Sequence, residues 1–452
     1  MNIIIAGSGK VGLTLAQKLA EEGHDLTLID LDTQVLERAV ERYDAITLSG
    51  NCASSEVLLQ AGVKEADLLI AATSADEVNL LCCMTAHGLN SKIHTIARIR
   101  TPEYTDQVMT MRDVFPLSLT VNPERQAAAE IERLLKYPGF LRRDTFAKGR
   151  AELVELRVDS ASKLCNRSLK EMYGIIKCKV LVCAVLRSGT AVAPNGEFVL
   201  REGDRIFVTA PTSDLTVLLK NLGIITRRVR HVLLCGGSRV CYYLASLLER
   251  DGIAVSILEK DRERCVQLAS LLPKASVVHG DCSSQKTLDS QGIDDCDALV
   301  TLTNMDETNM IVSLYGSSRK IPQIITKLSR RENSNIADSL ALGSVISPRE
   351  LCCNGIVRYV RAMQNQTGAA VSVHSIADGQ AEAVEFLVDE HTRHCGEPLK
   401  QLKLKANVLV ASITHGKHTL VPGGDSFFQK GDTVVVVTSG RGVLHQLNDI
   451  FA

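Results

Sequence analysis

The chain has 452 residues, of which 45% are hydrophobic and 23% charged, and its formal net charge is only −1. This length predicts about three domains, and the balanced charge argues against general nucleic-acid binding, which needs a cationic surplus. Aromatic residues make up only 4% and Trp is absent. We therefore expect cores built from Val, Ile, Leu and Ala, as in parallel α/β sheets.

The sequence also indicates where the protein works. No stretch approaches the ~18–20 consecutive apolar residues of a membrane-spanning helix, and a strand-like run begins directly after Met1, so no cleavable leader is expected. The 14 Cys residues are scattered through apolar segments without a Cys-x-x-Cys pair, which is typical of reduced core thiols. We expect a cytosolic protein with no direct membrane insertion.

Residues 2–121 alternate short apolar strands with helical periodicity. The predicted strands lie near 2–6, 25–30, 44–49, 67–72 and 93–98, and the predicted helices near 11–22, 33–42, 54–61, 76–88 and 102–111. Repeated strand-then-helix units predict a Rossmann-like, doubly wound parallel sheet, because each crossover places a helix on a sheet face. A helix beginning at Pro123 follows, then a charged linker over 141–150 and a small α+β lobe over 151–225.

The second half of the chain repeats the first with an offset of about 229 residues. Gly7 aligns with Gly236, Asp30 with Glu259, and segment 76–79 with segment 306–309. We predict a tandem duplication of a Rossmann-like sheet and a small α+β lobe. The predicted segments are 1–121 (first sheet), 122–150 (crossover helix and linker), 151–225 (first small lobe), 230–347 (second sheet), 348–369 (second crossover helix) and 370–452 (second small lobe).

A glycine motif follows the first predicted strand. Gly7-Ser8-Gly9-Lys10-Val11-Gly12 matches G-x-G-x-x-G and opens the next helix, and Asp30 ends the second strand. In such a motif the first glycine permits a tight turn, the second lets backbone amides approach a pyrophosphate, and the third lets the helix pack on the strand. The acid would accept hydrogen bonds from a ribose diol. We predict a nucleotide site at this loop.

Later strand ends add polar groups at the same edge. Asn51 and Cys52 follow the third strand, and Thr73 and Ser74 follow the fourth, at the carboxyl edge where open sheets bind ligands. Arg98 ends the fifth strand, where it would contact either a phosphate or a neighbouring acid in a surface ion pair. The acids of segment 76–79 head a helix and favour capping over metal ligation.

The second copy of the motif is degraded. It has Gly236, Ser238 and Cys241 at the three glycine positions. A side chain at the second position would crowd a pyrophosphate, and one at the third would push the helix from the strand. The charged positions persist as Arg239, Glu259 and Lys327. Two interpretations therefore stay open here: a weaker or different nucleotide site, or a purely structural sheet.

Other motifs give no further chemistry. His391, His394, Cys395, His415 and His418 lack a closed ligand spacing, so no metal site is predicted. No hydrolase elbow, zinc-protease or P-loop motif occurs in a supporting context. We predict no catalytic residues and no enzymatic activity.

The whole chain resembles the RCK family (regulator of potassium conductance), and within it the Trk-type regulatory subunits of bacterial potassium uptake. The segments that carry the resemblance are 4–12, 73–79, 96–104, 279–281 and 302–309. The resemblance implies binding of NAD(H) or of ATP and ADP, a homo-oligomeric ring of RCK lobes (dimer or tetramer), and control of a membrane-embedded, TrkH-like potassium translocator from the inner face of the plasma membrane. The implied ligand contacts are Gly7, Ser8, Gly9, Lys10, Val11, Asp30, Asn51, Cys52, Thr73, Ser74 and Arg98, with Gly236, Gly237, Ser238, Arg239, Val240, Glu259, Asp281, Thr303, Asn304 and Lys327 in the second copy.

Two alternative functions stay open at this point. An NAD-dependent oxidoreductase would need a proton donor or base facing the nicotinamide, and the small lobes offer none. An RCK regulator of a different cation channel or efflux system would share the same lobes. The tandem double unit on a separate chain favours the Trk type.

Overall fold

The computed structural model describes the chain except for residues 111–116, 137–139, 148, 161, 224–228, 331–339, 341, 364–369, 440–443 and 445. The described chain forms two compact units. One contains Met1–Ala129 and Ser347–Val357, and the other contains Glu130–Ile346 and Arg358–Ala452. Among the described residues, no helix is both long and apolar enough to cross a membrane.

The first unit is built on a six-stranded parallel sheet of order β3-β2-β1-β4-β5-β6. Its core comes from runs such as Ile3–Ile5, which are buried because helices cover the sheet. The elements are β1 (Asn2–Ala6), α1 (Lys10–Glu21), β2 (Asp25–Asp30), α2 (Thr33–Val40), β3 (Ala45–Ser49), α3 (Ser55–Gln60), β4 (Leu68–Ala71), α4 (Asp76–Leu89), β5 (His94–Arg98), α5 (Pro102–Thr110), β6 (Leu119–Val121) and α6 (Pro123–Lys136).

An antiparallel sheet of order β10-β9-β11-β8-β7 forms the first small lobe. Helix α7 begins with a capping box, in which Ser168 and Glu171 satisfy each other's backbone amides. The elements are β7 (Arg142–Phe146), β8 (Ala151–Arg157), α7 (Leu169–Ile176), β9 (Leu181–Arg187), β10 (Thr190–Val192), β11 (Arg205–Pro211) and α8 (Thr212–Leu222).

The second half of the chain repeats both sheets. Its parallel sheet has the order β14-β13-β12-β15-β16-β17, and its antiparallel sheet has the order β18-β19-β22-β20-β21. The elements are β12 (His231–Cys235), α9 (Arg239–Arg250), β13 (Ala254–Glu259), α10 (Arg262–Leu271), β14 (Ser276–His279), α11 (Gln285–Ser290), β15 (Ala298–Thr301), α12 (Asp306–Ser318), β16 (Gln323–Lys327), β17 (Ser344–Ile346), α13 (Pro348–Met363), β18 (Ala370–Ile376), β19 (Ala381–Leu387), β20 (Val408–His415), β21 (His418–Leu420) and β22 (Thr433–Ser439). The predicted fold class, tandem Rossmann-like sheets with small α+β lobes, is confirmed.

Two strands were missed by the sequence analysis. The short β6 pairs with β5 and extends the first sheet by one strand. Strand β7 lies inside the stretch predicted as a charged linker, and that prediction is wrong for Arg142–Phe146. Its charges are neutralised within the lobe, since the buried Arg143 guanidinium forms a two-pronged ion pair with the buried carboxylate of Glu152. Charge alone therefore did not indicate solvent exposure.

Within the second unit, the two antiparallel sheets share a core. The apolar cluster joins Phe146, Phe207 and Ile376 with small residues such as Ala383 and Ala411. Polar contacts surround this core: the Ala147 amide donates to Glu385 Oε1 at 2.9 Å, and His374 Nδ1 lies 2.8 Å from Asp144 Oδ1. The two small lobes therefore pack face to face by their sheets.

Two helices each contribute residues to both compact units. Helix α6 passes from the first unit to the second after Ala129, and helix α13 passes from the first unit to the second after Val357. Each begins at a proline, whose missing N–H costs nothing in the first helical turn.

Candidate functional site

The candidate site of the first unit lies at the carboxyl edge of its parallel sheet, next to β1. Strand β1 has β2 on one side and β4 on the other, and the chain order reverses between them. Loops that leave the two neighbouring strands diverge there and open a crevice. The glycine loop, Asp30 and the residues after β3, β4 and β5 all lie at this edge.

The three glycines of the loop have different physical roles. Gly7 has φ +98°, and a side chain on it would bring a Cβ within 2.8 Å of the Thr73 nitrogen. A Cβ on Gly12 would lie 1.9 Å from the Gly7 carbonyl oxygen, so the start of α1 approaches the loop too closely for any side chain. A Cβ on Gly9, by contrast, would meet nothing within 4 Å. Gly7 and Gly12 are required by packing, while Gly9 keeps space open in front of the helix.

Asp30 is held beside this loop by backbone amides. The Ser8 amide donates to Asp30 Oδ2 at 2.5 Å, and the Asp32 amide donates to Oδ1 at 3.0 Å. Asp32 in turn caps α2 by accepting from the amides of Gln34 and Val35. These bonds fix the orientation of the carboxylate, and each oxygen keeps a second lone pair for a ribose hydroxyl.

Arg98 lies at the same edge with an incompletely satisfied guanidinium. Its side chain is only 16% exposed, and its Nη2 lies 3.7 Å from Glu124 Oε1 in a loose ion pair. Its Nε is buried and has no hydrogen-bond partner in the described part of the chain, and the buried Ser8 hydroxyl is in the same situation. Burial lowers the pKa of Arg98. Two buried donors without partners at the carboxyl edge of the sheet fit the phosphate oxygens of a nucleotide.

Asn79 organises the neighbouring strand ends, a role that the sequence analysis missed. Its Oδ1 accepts from the Thr73 amide at 2.8 Å and from the Thr73 hydroxyl at 2.7 Å, and its Nδ2 donates to the Arg98 carbonyl at 2.8 Å. The ends of β4 and β5 are thereby tied together by one buried side chain. The signal was present, since the pair Thr73 and Asn79 recurs as Thr303 and Asn309 in the second repeat.

Asp76 stabilises the loop after β5 from the first turn of α4. Its Oδ2 accepts from the amides of Arg100 at 2.9 Å and Thr101 at 2.8 Å. Burial opposes ionisation, but these hydrogen bonds and the Arg100 guanidinium hold the pKa of Asp76 below its ordinary value. Asp76 and Glu77 stand in the first turn of α4, as predicted for acids at a helix start, and Asp76 in addition joins α4 to the loop after β5.

The remaining predicted contacts of the first site are distributed around the crevice. Lys10 and Ser74 are exposed and Val11 is buried in the first turn of α1. Asn51 Oδ1 accepts from the Ala53 amide at 3.0 Å and shapes the loop after β3, in which Cys52 is buried. The structure thus brings all the residues predicted for the first site to one edge of one sheet.

The second repeat places its predicted residues in the same way, with three differences. Ser238 occupies the open glycine position, and its buried hydroxyl lacks a hydrogen-bond partner among the described residues. Cys241 is fully buried where Gly12 admits no side chain, so the start of α9 must stand further from its loop. Lys327 turns back to donate from Nζ to the Leu302 carbonyl at 3.1 Å, unlike Arg98.

The acid of the second site keeps its hydrogen bonds to the loop, and the loop gains a cationic contact. Glu259 accepts from the Gly237 amide at 2.5 Å and from the Asp261 amide at 2.8 Å. Arg264, which occupies the position of Val35, donates from Nε to the Gly237 carbonyl at 2.7 Å. The amide and the carbonyl of Gly237 are therefore both hydrogen-bonded to side chains. The other predicted residues of this site are Gly236 with φ +105°, Arg239, Val240, Asp281 as an acceptor from the Ser283 amide, Thr303 bonded to Asn309, and the exposed Asn304.

The histidines of the second small lobe pair with carboxylates. His415 Nδ1 lies 2.7 Å from Asp432 Oδ2, where the first small lobe has Arg187 bound to Asp204, and His394 Nδ1 lies 3.1 Å from Glu397. The part of the chain that the structure describes contains no group of three or more His, Cys, Asp or Glu residues arranged to hold a metal ion. All 14 cysteines are free thiols.

The fold and the paired glycine loops define a tandem chain of Rossmann-like lobes, each followed by a small antiparallel lobe. The model of the TrkA-N domain matches residues 3–114 and 232–348, and the model of the TrkA-C domain matches residues 153–223 and 383–452. The chain therefore belongs to the TrkA family.

Relatives along the full length agree with this assignment. The chain is 30% identical over 459 residues to the Trk system potassium uptake protein TrkA of Halomonas elongata, covering 100% of this chain and 98% of the relative. Among solved structures, the GsuK RCK domain superposes with a TM-score of 0.63 at 16% identity, covering 97% of this chain and 92% of that one. The GsuK channel bound to NAD gives a TM-score of 0.62 at 17% identity, with 97% and 76% covered. These two structures share the RCK fold.

The glycine geometry yields the first prediction. In Gly9→Val the new side chain enters open space, so the fold should persist, but it fills the room for a pyrophosphate. We expect NADH affinity, measured by calorimetry, to fall by at least about tenfold, which corresponds to about 1.4 kcal/mol.

Ser238→Val provides the matched control, because it changes the equivalent helix-start position of the second repeat. Thermal unfolding of both variants checks that any loss is not a folding defect. If Ser238→Val removed most NADH binding while Gly9→Val did not, our ranking of the two sites would be reversed.

Proposed function

We propose that this protein is a nucleotide-sensing regulatory subunit of a Trk-type potassium uptake system. In this proposal it binds NAD(H) at the first Rossmann-like site and controls a membrane-embedded, TrkH-like potassium translocator from the cytosolic face of the plasma membrane. The observation that carries the proposal is the edge of the first sheet, where open space at Gly9 follows the Ser8 amide bonded to Asp30. At the same edge the Ser8 hydroxyl and the Arg98 Nε lack hydrogen-bond partners among the described residues. The membership of the TrkA family supplies the transport context.

NAD(H) is the proposed ligand because its parts match the groups at this edge. The amides at the start of α1 and the Arg98 guanidinium would hold the pyrophosphate, and Asp30 would accept from the adenosine ribose. ATP and ADP present the same ribose and phosphates and are the second candidates. The known NAD complex of GsuK, which has the same fold, supports this assignment by analogy.

We propose a weaker or different ligand for the second site. Ser238 reduces the space in front of α9, Lys327 is bonded to the backbone, and Arg264 holds the loop from its carbonyl side. The acid Glu259 keeps the geometry of Asp30. A ribose would thus still find its acceptor, but a pyrophosphate would meet a side chain that the first site lacks.

A sensing role is favoured over catalysis by the state of the polar groups at the first site. Asp30 and Asp76 each accept two backbone amides, and Asn79 bridges two strand ends. The hydrogen bonds to Asp76 hold the pKa of that carboxyl below its ordinary value, so it is a poor proton donor, and the oxygens of Asp30 already accept hydrogen bonds from backbone amides. We therefore propose that the nucleotide is bound as a signal and is not turned over.

We propose that helix α13 transmits the effect of nucleotide binding at the first site. The Nζ of Lys18 on α1 lies 2.9 Å from Glu350 Oε2 and donates to Asn354 Oδ1 at 2.8 Å. The Cys353 thiol donates to the Val11 carbonyl at 3.8 Å. The first part of α13 is thereby fixed to the same helix whose N-terminus would receive the phosphates. Nucleotides can regulate transport only if they bind two arrangements of the chain with different affinity, commonly by about 1–3 kcal/mol.

The far end of α13 contacts the second small lobe within the second unit. Arg361 Nη2 lies 3.4 Å from Glu382 Oε1, and Arg358 Nη1 lies 3.4 Å from His374 Nε2. His374 in turn bonds to Asp144 of the first small lobe. A displacement of α13 would therefore reach the shared core of the two small lobes.

A homo-oligomeric ring is part of the proposal. Leu81 on α4 is 53% exposed, and Ile311, at the equivalent position on α12, is 63% exposed. Large apolar side chains exposed at the same place in both repeats are typical of surfaces that pack against another lobe. We propose that α4 and α12 contact neighbouring lobes in a dimer or tetramer.

The nucleotide preference gives the second prediction. Because Asp30 would lie close to an added 2′-phosphate, NAD(H) should bind at least about tenfold more tightly than NADP(H). Asp30→Asn keeps an acceptor for the Ser8 amide but removes the charge, so it should narrow that ratio. Calorimetric titration of both cofactors measures this affinity ratio. Tighter binding of NADP(H) than of NAD(H) to the unmodified chain would contradict the role proposed for Asp30.

The regulatory proposal is tested by transport. A TrkH-like potassium translocator is reconstituted in liposomes, and rubidium uptake is recorded with the chain, with the chain plus NADH or ATP, and with neither. We expect the chain to change the flux and the nucleotide to change it again.

Gly9→Val serves as the control, since it should retain the effect of the chain and lose the response to NADH. Flux that is indifferent to both the chain and the nucleotides would contradict the proposed function.

A further inference from the structure

Cys52 lies in the loop between β3 and α3, at the same edge as the candidate nucleotide site. The loop begins at Gly50, whose amide donates to the Asp30 carbonyl at 3.0 Å. Cys52 is only 6% exposed and is a free thiol. The loop thus connects a buried thiol to the residue proposed to hold the ribose.

A second thiol faces this loop from helix α4. The Thr85 hydroxyl of α4 donates to the Ala53 carbonyl at 3.4 Å, which packs the helix against the residue that follows Cys52. Cys82 lies one turn before Thr85, on the same face of α4. It belongs to the same buried apolar cluster as Cys52.

The two thiols are chemically unequal. Interaction with the Cys82 thiol lowers the pKa of Cys52, whereas interaction with Cys52 and burial raise the pKa of Cys82. The thiolate is the nucleophile in thiol oxidation. Cys52, beside the crevice, is therefore suited to react first, and Cys82, behind it, to react with the oxidised product.

The second repeat contains a related pair with a different partner. Cys282, at the position of Cys52, lies in one buried cluster with Cys235 at the end of β12, where the first repeat has Ala6. The position of Cys82 holds Val312 there. The loop thiol thus has a thiol neighbour in both repeats, although the neighbour comes from a different element in each.

We propose that Cys52 and Cys82 form an oxidation-sensitive latch beside the nucleotide site, which closes as a disulfide in the presence of a peroxide. The Cys52 thiolate attacks one oxygen of hydrogen peroxide, the O–O bond breaks, and a sulfenic acid and hydroxide form. The Cys82 thiol then attacks the Cys52 sulfur, the S–S bond forms, the S–O bond breaks, and water leaves. Two thiols are oxidised, and one peroxide is reduced to two waters.

The disulfide would attach loop 50–54 covalently to α4. Because this loop contacts the Asp30 carbonyl, the ribose end of the site would lose mobility on oxidation. This consequence for the nucleotide rests on the proposed function, whereas formation of the disulfide does not.

Peptide mapping tests the latch. The full chain is reduced, freed of reductant, treated with hydrogen peroxide, and digested under non-reducing conditions for mass spectrometry. We expect a peptide that joins Cys52 to Cys82. In Cys82→Ser the sulfenic acid of Cys52 should persist and react with dimedone.

Cys183→Ser is the matched control, because Cys183 is a buried thiol in the first small lobe whose pKa burial raises to about 12. This variant should still form the Cys52–Cys82 peptide. Absence of that peptide from the oxidised unmodified chain, or Cys52 found only as a sulfenic acid there, would overturn the proposal.

Calorimetry separates the latch from the nucleotide proposal. We expect oxidation to change NADH affinity by about fivefold or more, within the usual range of coupling between sites, and Cys82→Ser to remove that change. Equal affinity of the oxidised and reduced chains would overturn the effect on the nucleotide site. Absence of NADH binding to the reduced chain would count against the proposed function, while the peptide map would still decide the disulfide.

Discussion

The close approach of three backbone segments at one edge of the first sheet determines the candidate site. The glycine loop lies so near to the end of β4 and to the start of α1 that neither Gly7 nor Gly12 can carry a side chain. This packing places the first amides of α1 and the carboxylate of Asp30 beside the open space at Gly9, and Arg98 ends β5 at the same edge of the sheet. An anion placed there would meet the backbone dipoles at the start of α1. At the end of β5 the buried Nε of Arg98 has no hydrogen-bond partner among the described residues.

The two repeats show how the same architecture can carry different chemistry. Both retain an acid held by a loop amide and an asparagine that joins two strand ends. The second repeat fills the open glycine position with Ser238 and fixes its loop with Arg264. Because these changes lie at the loop and leave the sheet order intact, the second lobe keeps its fold, and we propose that it accommodates a pyrophosphate less well than the first.

The sequence predicted the fold well because its signals were local and strong. Apolar runs such as Ile3–Ile5 define buried parallel strands, and the repeat offset supplied the second half from the first. Strand β7 was missed because its arginines and aspartate looked solvent-exposed, whereas a buried partner, Glu152, neutralises Arg143 across the sheet. Such compensation depends on residues that are brought together only by folding.

The glycine loop and the acid of the candidate site were predicted for the same reason, since their spacing is fixed by the turn from strand to helix. The unsatisfied Nε of Arg98, the bridge made by Asn79 and the thiol pair of Cys52 and Cys82 depend on side-chain directions, and the sequence alone does not encode these in any short motif. The contacts of α13 with α1 join residues more than three hundred positions apart, such as Lys18 and Asn354. They are consequences of the tertiary fold.

Amide hydrogen exchange of the segment 348–357 with and without NADH tests the central claim most directly, because this segment lies in the same compact unit as the first site and is fixed to α1. The account predicts that NADH slows exchange in 348–357 of the unmodified chain and leaves it unchanged in Gly9→Val. NADH binding at the first site without any change of exchange in 348–357 would contradict it.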